Sequence, residues 1–184
     1  ALGVISENKY QNEGGPDLAQ CFDLVRQVTR PSAPHILRLF DIVIFNALIG
    51  NHDAHGKNFS LLYSEKGPVL SPSYDTLCTA VYPKLTTKMA MKIGSKYKFT
   101  EIYKRHWEQF AQEAGLSKTQ TIRRILELAQ SLPLIARQLQ ADPNKGFAQH
   151  QLIEQIIALI EQRCALTITR LTTNDVQEEV IVTD

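Results

Sequence analysis

The chain has 184 residues, 43% of them hydrophobic, and 20 Lys and Arg set against 19 Asp and Glu give a formal charge of +1. That length and apolar share are enough for one domain with its own core, while the near-neutral charge argues against a general attraction for nucleic acid or a membrane surface. Three scattered cysteines, Cys21, Cys78 and Cys164, contain no C-x-x-C pair and argue against a disulfide scaffold or a structural zinc knot. Reduced thiols point to the cytoplasm. So does the lack of a basic-then-apolar leader or of an apolar run near the ~20 residues that cross a bilayer.

In chain order, Ala1 to Gly15 reads as an irregular entry ending in a Gly14-Gly15 turn. Without a longer glycine fingerprint, that pair indicates turn geometry before phosphate contact. Pro16 opens a short helix in which Leu18, Phe22 and Val25 recur at helical spacing through Val28. From Pro34 to Ile49, with Ser32 and Ala33 outside, apolar residues cover more than one face and predict a buried central helix. Asp41 interrupts that surface and calls for a structural hydrogen bond. Phe59 to Leu62 and Val69-Leu70, separated by a Ser64 to Pro68 turn, predict a small β-ribbon.

Beyond the ribbon, Pro83 argues against a continuing element. Thr86 to Ile93 reads as an edge strand or exposed loop, bordered by the solvated lysines Lys84, Lys88, Lys92, Lys96 and Lys98. A helix is expected over Glu101 to Ala114, capped by Thr100, burying Trp107 and leaving His106 at the surface. Ser117 to Gln120 has the capping-box pattern of a further helix, which Leu132-Pro133 should break before a short third segment. After a loop at Ala141 to Gly146, Gln149 to Ala165 is the last strong helix, with His150 at the surface. Arg123 and Arg124 sit on a charged helix face. Residues 1–171 therefore read as one domain, and 172–184 as a polar, fraying tail.

The chemistry concentrates in NALIGNHDAHGKNFSLL, from Asn46 to Leu62, and in SPSYDTL, from Ser71 to Leu77. Asp53 and Asn58 have the D-x-x-x-x-N spacing of a catalytic loop in which the Asp orients a hydroxyl and the Asn carbonyl holds magnesium. Asp75, beyond the ribbon, supplies a second hard-oxygen ligand. Lys57 is placed to stabilise developing phosphoryl charge or to orient Asp53. His55 is better suited to locking the loop than to proton transfer, and Asn51 and His52 to shaping it. Tyr74 either positions Asp75 or simply packs. A zinc hydrolase built on His52, Asp53, His55 and Asp75 lacks a clear additional ligand or base, and no G-x-S-x-G elbow supports a serine hydrolase.

The run GNHDAHGKNFSL from Gly50 to Leu61, followed by LSPSYD from Leu70 to Asp75, resembles the C-terminal signature of HipA-like serine/threonine kinases, the toxins of bacterial toxin–antitoxin systems. Tyr10 to Leu18 and Leu85 to Gly94 extend the similarity, which covers most of residues 8–140. The resemblance implies a predominantly helical α+β fold, the C-terminal lobe of a protein-kinase-like structure with a small β-ribbon at the active edge. It implies a catalytic Asp53, with Asn58 and Asp75 holding magnesium and ATP as cofactor. It also implies a cytosolic protein substrate, with an aminoacyl-tRNA synthetase as candidate, and a DNA-binding antitoxin partner; direct contact with nucleic acid is not expected, because the fold and base-reading elements it needs are not evident in the sequence. Asp75-Thr76-Leu77 stands where ordinary kinases have D-F-G. No nucleotide-binding glycine loop or phosphate-contacting strand lysine can be placed upstream, so this lobe by itself is expected to be inactive. The alternative reading is a noncatalytic protein-binding module retaining a degenerate kinase site.

Overall fold

The computed structural model describes residues 2–4 and 7–173. Five helices form the body: α1 (Leu18–Val28), α2 (Ser32–Ile49), α3 (Lys104–Glu113), α4 (Lys118–Ala141) and α5 (Gln151–Thr172). Two antiparallel ribbons complete it, β1 (Leu61–Ser64) with β2 (Gly67–Leu70) and β3 (Lys88–Ile93) with β4 (Lys96–Lys98). The fold is thus the predominantly helical α+β lobe expected from the sequence.

Helix α2 is the axis of the core. It packs against α1, α4 and α5, and Leu39, Ile44 and Leu48 are fully buried. The sequence expectation that no segment approaches a membrane span is corrected at this helix, since its 18 residues have a mean hydropathy of 1.4, long and apolar enough by length and composition. Its apolar faces are used for packing within the lobe. Helix α1 starts at a reciprocal cap in which the Gln20 N–H donates to Asp17 and the Asp17 N–H to the Gln20 side chain. Phe22, Phe40, Trp107 and Phe110 join α1, α2 and α3 through ring contacts between 5.8 and 6.2 Å.

Asp41 receives a two-pronged contact from Arg124 of α4, at 2.8 and 2.9 Å. The interruption in the apolar face of α2 is therefore a tether to α4. Arg163 of α5 does more: at 9% exposure its Nε and Nη2 donate to the Ala47 carbonyl at 2.9 and 2.7 Å, and its guanidinium stacks on Phe99 at 3.6 Å. The Asn51 N–H, which would otherwise meet Ala47, goes instead to the Asn46 carbonyl. Arg163 therefore satisfies a carbonyl in the last turn of α2, one turn before the candidate catalytic loop. Burial pushes its pKa down to about 10.

Further expectations need correction. Helix α2 begins at Ser32, with Pro31 at its N-cap, so Pro34 falls at the third helical position, where no intrahelical donor is required. Residues 88–93 form a strand that is mostly buried: Met89, Ala90, Met91 and Ile93 are enclosed because α1, α3 and the 3-10 turn Gln11–Glu13 pack on it. The helix expected from Glu101 begins at Lys104, since Arg170 draws the Thr100 and Ile102 carbonyls toward α5. His106 is buried where α3 packs on β3, and its Nδ1 accepts the Tyr103 N–H at the start of α3.

Finally, α4 continues through Pro133, which removes one backbone donor. The helix packs along α5, and Arg137, beyond the proline, binds both Glu154 and Glu161. Helix α5 itself runs past Ala165 to Thr172. The polar tail expected from 172 onward lies, after Thr173, outside the described residues.

Replacing Arg163 with Met keeps much of the side-chain volume but leaves the Ala47 carbonyl buried without its donor, which costs about 1–3 kcal/mol. The variant is expected to unfold at a lower urea concentration with an unchanged denaturant slope, and an unchanged midpoint would show that the guanidinium adds nothing to the end of α2.

Candidate functional site

The site starts where α2 stops. Gly50 takes a left-handed conformation at φ 79°, and a Cβ there would lie 2.8 Å from the Ala80 side chain, so backbone and packing both call for glycine. The next residue, Asn51, is 4% exposed and bonded on both ends of its amide. Its Nδ2 donates to the Asn46 side chain at 3.0 Å and to the Asp75 carbonyl at 3.2 Å, and its Oδ1 accepts the Asp53 N–H at 3.1 Å. One side chain thereby connects the end of α2, the loop and the segment beyond the ribbon.

His52 is held through its backbone and one ring nitrogen, while its Nε2 is buried without a hydrogen-bond partner among the described residues. Its N–H donates to the Thr79 hydroxyl at 2.8 Å, its carbonyl accepts from the Ala90 N–H of β3 at 2.8 Å, and its Nδ1 lies 3.1 Å from the Thr86 carbonyl. A carbonyl can only accept, so Nδ1 carries the proton in that contact. Asp53 follows, and its Oδ1 receives the Tyr10 hydroxyl at 2.7 Å. A cleft of about 390 Å³ opens beside the carboxylate, walled by Tyr10, His52, Leu85, Thr86 and Met89.

The loop then tightens into a 3-10 turn, Gly56–Asn58, with the Asn58 N–H on the His55 carbonyl at 2.9 Å. The register of β1 and β2 pairs Leu61 with Leu70, and the ladder is prolonged by Ser71 N–H donating to the Ser60 carbonyl at 2.9 Å. This hairpin returns the chain to the loop. The Tyr74 hydroxyl donates to the Lys57 carbonyl and also contacts the Ser60 hydroxyl, so Tyr74 pins the 71–75 segment in place. Asp75 is held at φ 53°, a left-handed conformation uncommon for a residue with a side chain. There the Asn58 amide donates to Asp75 Oδ2 at 2.7 Å.

The structure thus brings Asn58 and Asp75 into direct contact across 17 residues, with Asp53 on the loop leading to them. His55 is buried between the fields of Asp53 and Asp75. Burial lowers its pKa, Asp53 opposes that shift most strongly, and its Nδ1 has no hydrogen-bond partner among the described residues. His52 is lowered likewise, chiefly by burial. Tyr10 was missed as a site residue by sequence reasoning: it lies 43 positions before Asp53, and no spacing rule connects them.

Asn58 and Asp75 carry the hard oxygen donors that suit magnesium, an amide oxygen and a carboxylate, on neighbouring side chains at an exposed edge; as the structure stands the Asn58 Nδ2 donates to Asp75 Oδ2, so the amide would have to turn its oxygen toward an ion held there. Among the described residues no three His, Cys, Asp or Glu side chains converge to hold a metal. The His52, Asp53, His55 and Asp75 zinc set is therefore not assembled, and the Nδ1 of His52 is occupied by Thr86.

A helical lobe whose central helix delivers such a loop, with an Asn–Asp pair joined across a hairpin, is the C-terminal lobe of a protein-kinase-like fold. Residues 1–134 match the HipA-like C-terminal domain, and the chain belongs to that family. It is 48% identical over 131 residues to the candidate kinase Y4mE of Sinorhizobium fredii, covering 71% of this chain and 31% of that protein. It is 31% identical over 144 residues to the serine/threonine-protein kinase toxin HipA of Shewanella oneidensis, covering 72% of this chain and 33% of that one. A solved complex of Shewanella oneidensis HipA with HipB and operator DNA shares the fold at a TM-score of 0.78 and 22% identity, covering 93% of this chain and 43% of that one. The chain therefore spans about a third of the length of these curated relatives.

Because burial depresses the His52 and His55 pKa values below the unfolded value of about 6.5, the folded state binds fewer protons there. This contribution to stability is complete above that pH and is lost as the pH falls below it. Urea midpoints are expected to drop between pH 7.5 and 5.5, and His52→Asn, which keeps a donor for the Thr86 carbonyl, should flatten that drop. An identical pH dependence in the variant would remove His52 from the account.

Proposed function

We propose that the intact protein is an ATP- and magnesium-dependent serine/threonine protein kinase of a toxin–antitoxin system. The observation that carries this reading is the Asn58–Asp75 contact at 2.7 Å, reached from the loop that bears Asp53. Asp53 orients the acceptor hydroxyl and takes its proton as the oxygen attacks the terminal phosphorus of ATP, breaking its bond to the bridging oxygen so that ADP leaves. Asn58 and Asp75 hold magnesium, which when bound neutralises phosphate charge. Lys57 stabilises charge at the transferring group, and His55 fills the space beneath the loop and holds its shape.

Two supports differ in kind. Family membership supports the kinase class, and the name of the Shewanella oneidensis relative is that of a serine/threonine kinase toxin. The residue roles rest on the local geometry and on the resemblance of the loop. HipB and operator DNA accompany the fold relative in its complex, which supports a DNA-binding antitoxin as partner here. A cytosolic protein is the proposed substrate, with an aminoacyl-tRNA synthetase as the candidate offered by the resemblance. Since the chain covers about a third of its relatives, the lobe alone is proposed to be inactive.

The test is transfer of labelled phosphate from ATP to protein by the full-length parent, with and without magnesium, in an antitoxin-free lysate. Asp53→Asn is expected to lower transfer by about 10²–10⁴-fold, the usual contribution of a positioned base. Asp75→Asn should abolish the response to magnesium. A folded parent that transfers no phosphate, or one whose transfer survives both substitutions, would sink the proposal.

A further inference from the structure

Tyr10 belongs to the irregular entry, yet its hydroxyl lies 2.7 Å from Asp53 Oδ1. We propose that Tyr10 is a positioning residue, holding the Asp53 carboxylate in the orientation that receives the acceptor hydroxyl. This rests on the reading of Asp53 given above and adds to it a residue from outside the loop.

Three observations support it. The first is that the Tyr10 segment is built to be rigid. The Glu13 and Gly15 N–H groups both donate to the Tyr10 carbonyl, at 3.0 and 2.8 Å. Gly15 has no room for a side chain, since a Cβ would lie 2.6 Å from the Tyr10 carbonyl oxygen and 2.7 Å from that of Asn8. The turn is then tied to β3, where the Lys92 N–H donates to the Gln11 side chain at 2.7 Å.

The second is that β3 also holds the loop, through the Ala90 N–H on the His52 carbonyl. Asp53 is thus tethered to one strand twice, by its own backbone through His52 and by its side chain through Tyr10 and Gln11. A closed circuit of this kind restricts rotation of the carboxylate, which an exposed aspartate on a loop would otherwise undergo. Orientation of this sort is worth a large factor in rate when the attacking oxygen must lie in line.

The third is the setting of the phenol. Its ring meets His55 edge-on, with centroids 5.5 Å apart, and it shares the wall of the 390 Å³ cleft with Asp53. The contact therefore lies at the border of the space an acceptor would enter. The hydrogen bond to Asp53 raises the Tyr10 pKa above its ordinary value, so the hydroxyl remains a donor through the neutral range.

The experiment compares variants of the full-length protein. Tyr10→Phe keeps the ring and loses the donor; it is expected to lower kcat about tenfold, with the KM for ATP unchanged and the unfolding midpoint lowered only by as much as one lost hydrogen bond accounts for. Installing p-aminophenylalanine at position 10 returns a donor to the same ring and should restore most of the rate, which a purely packing role would not predict. Gly15→Ala, by shifting the Tyr10 backbone, should lower kcat in the same way, and combining it with Tyr10→Phe should add little.

Wild-type kcat in Tyr10→Phe overturns the inference, as does p-aminophenylalanine performing no better than Phe. A rise in kcat overturns it too, by showing that the phenol blocks the acceptor's place. Asp53→Asn run in parallel separates the two levels: retained transfer there defeats the reading of Asp53, whereas lost transfer beside an unaffected Tyr10→Phe defeats only the role of Tyr10.

Discussion

The Asn51 amide is the interaction on which the site depends. It holds the side chain of Asn46 in the last turn of α2, the backbone of Asp53 and the backbone of Asp75, all from a position 4% exposed. Each such bond contributes about 0.5–1.5 kcal/mol net, but leaving buried partners unpaired costs more than making the bonds gains. Asn51 therefore acts chiefly by excluding other arrangements. With its three partners in place, the loop and the 71–75 segment have little freedom to part.

Upstream of Asn51 the lobe is arranged to keep that point still. Helix α2 is buried on several faces, Arg163 from α5 closes a carbonyl in its last turn, and Arg124 from α4 holds Asp41 in its middle. Downstream, the arrangement opens to solvent. Asn58 and Asp75 meet in an exposed hydrogen bond, and Asp75 is held in a left-handed conformation by its neighbours rather than by its own preference. A rigid base carrying an exposed pair limits the rearrangement needed to meet a charged ligand to the side chains themselves.

Several misreadings of the sequence share a cause, because local rules price a residue by its neighbours in the chain. Pro133 reads as a break because it removes a donor, yet α4 runs through it, packed along α5 and tied to it by the Arg137 ion pairs. His106 reads as a surface residue on a polar helix, but its ring accepts a backbone N–H at the helix start. Alternating lysines made residues 88–93 look exposed, while Met89 and Met91 are enclosed by helices far away in sequence.

The sequence by itself determined the central helix, the hairpin and the identities of the loop residues. Helical periodicity, turn residues and the D-x-x-x-x-N spacing are local properties, set by backbone geometry over a few positions. Only the tertiary structure decided what those residues touch. Asn58 meets Asp75 because the β1–β2 register returns the chain to the loop, and Tyr74 then fastens it. Tyr10 reaches Asp53 because the entry turn packs on β3, where the Gln11 side chain accepts the Lys92 N–H. Contacts across 17 and 43 residues depend on how separate elements pack, and no periodicity within one element carries that information.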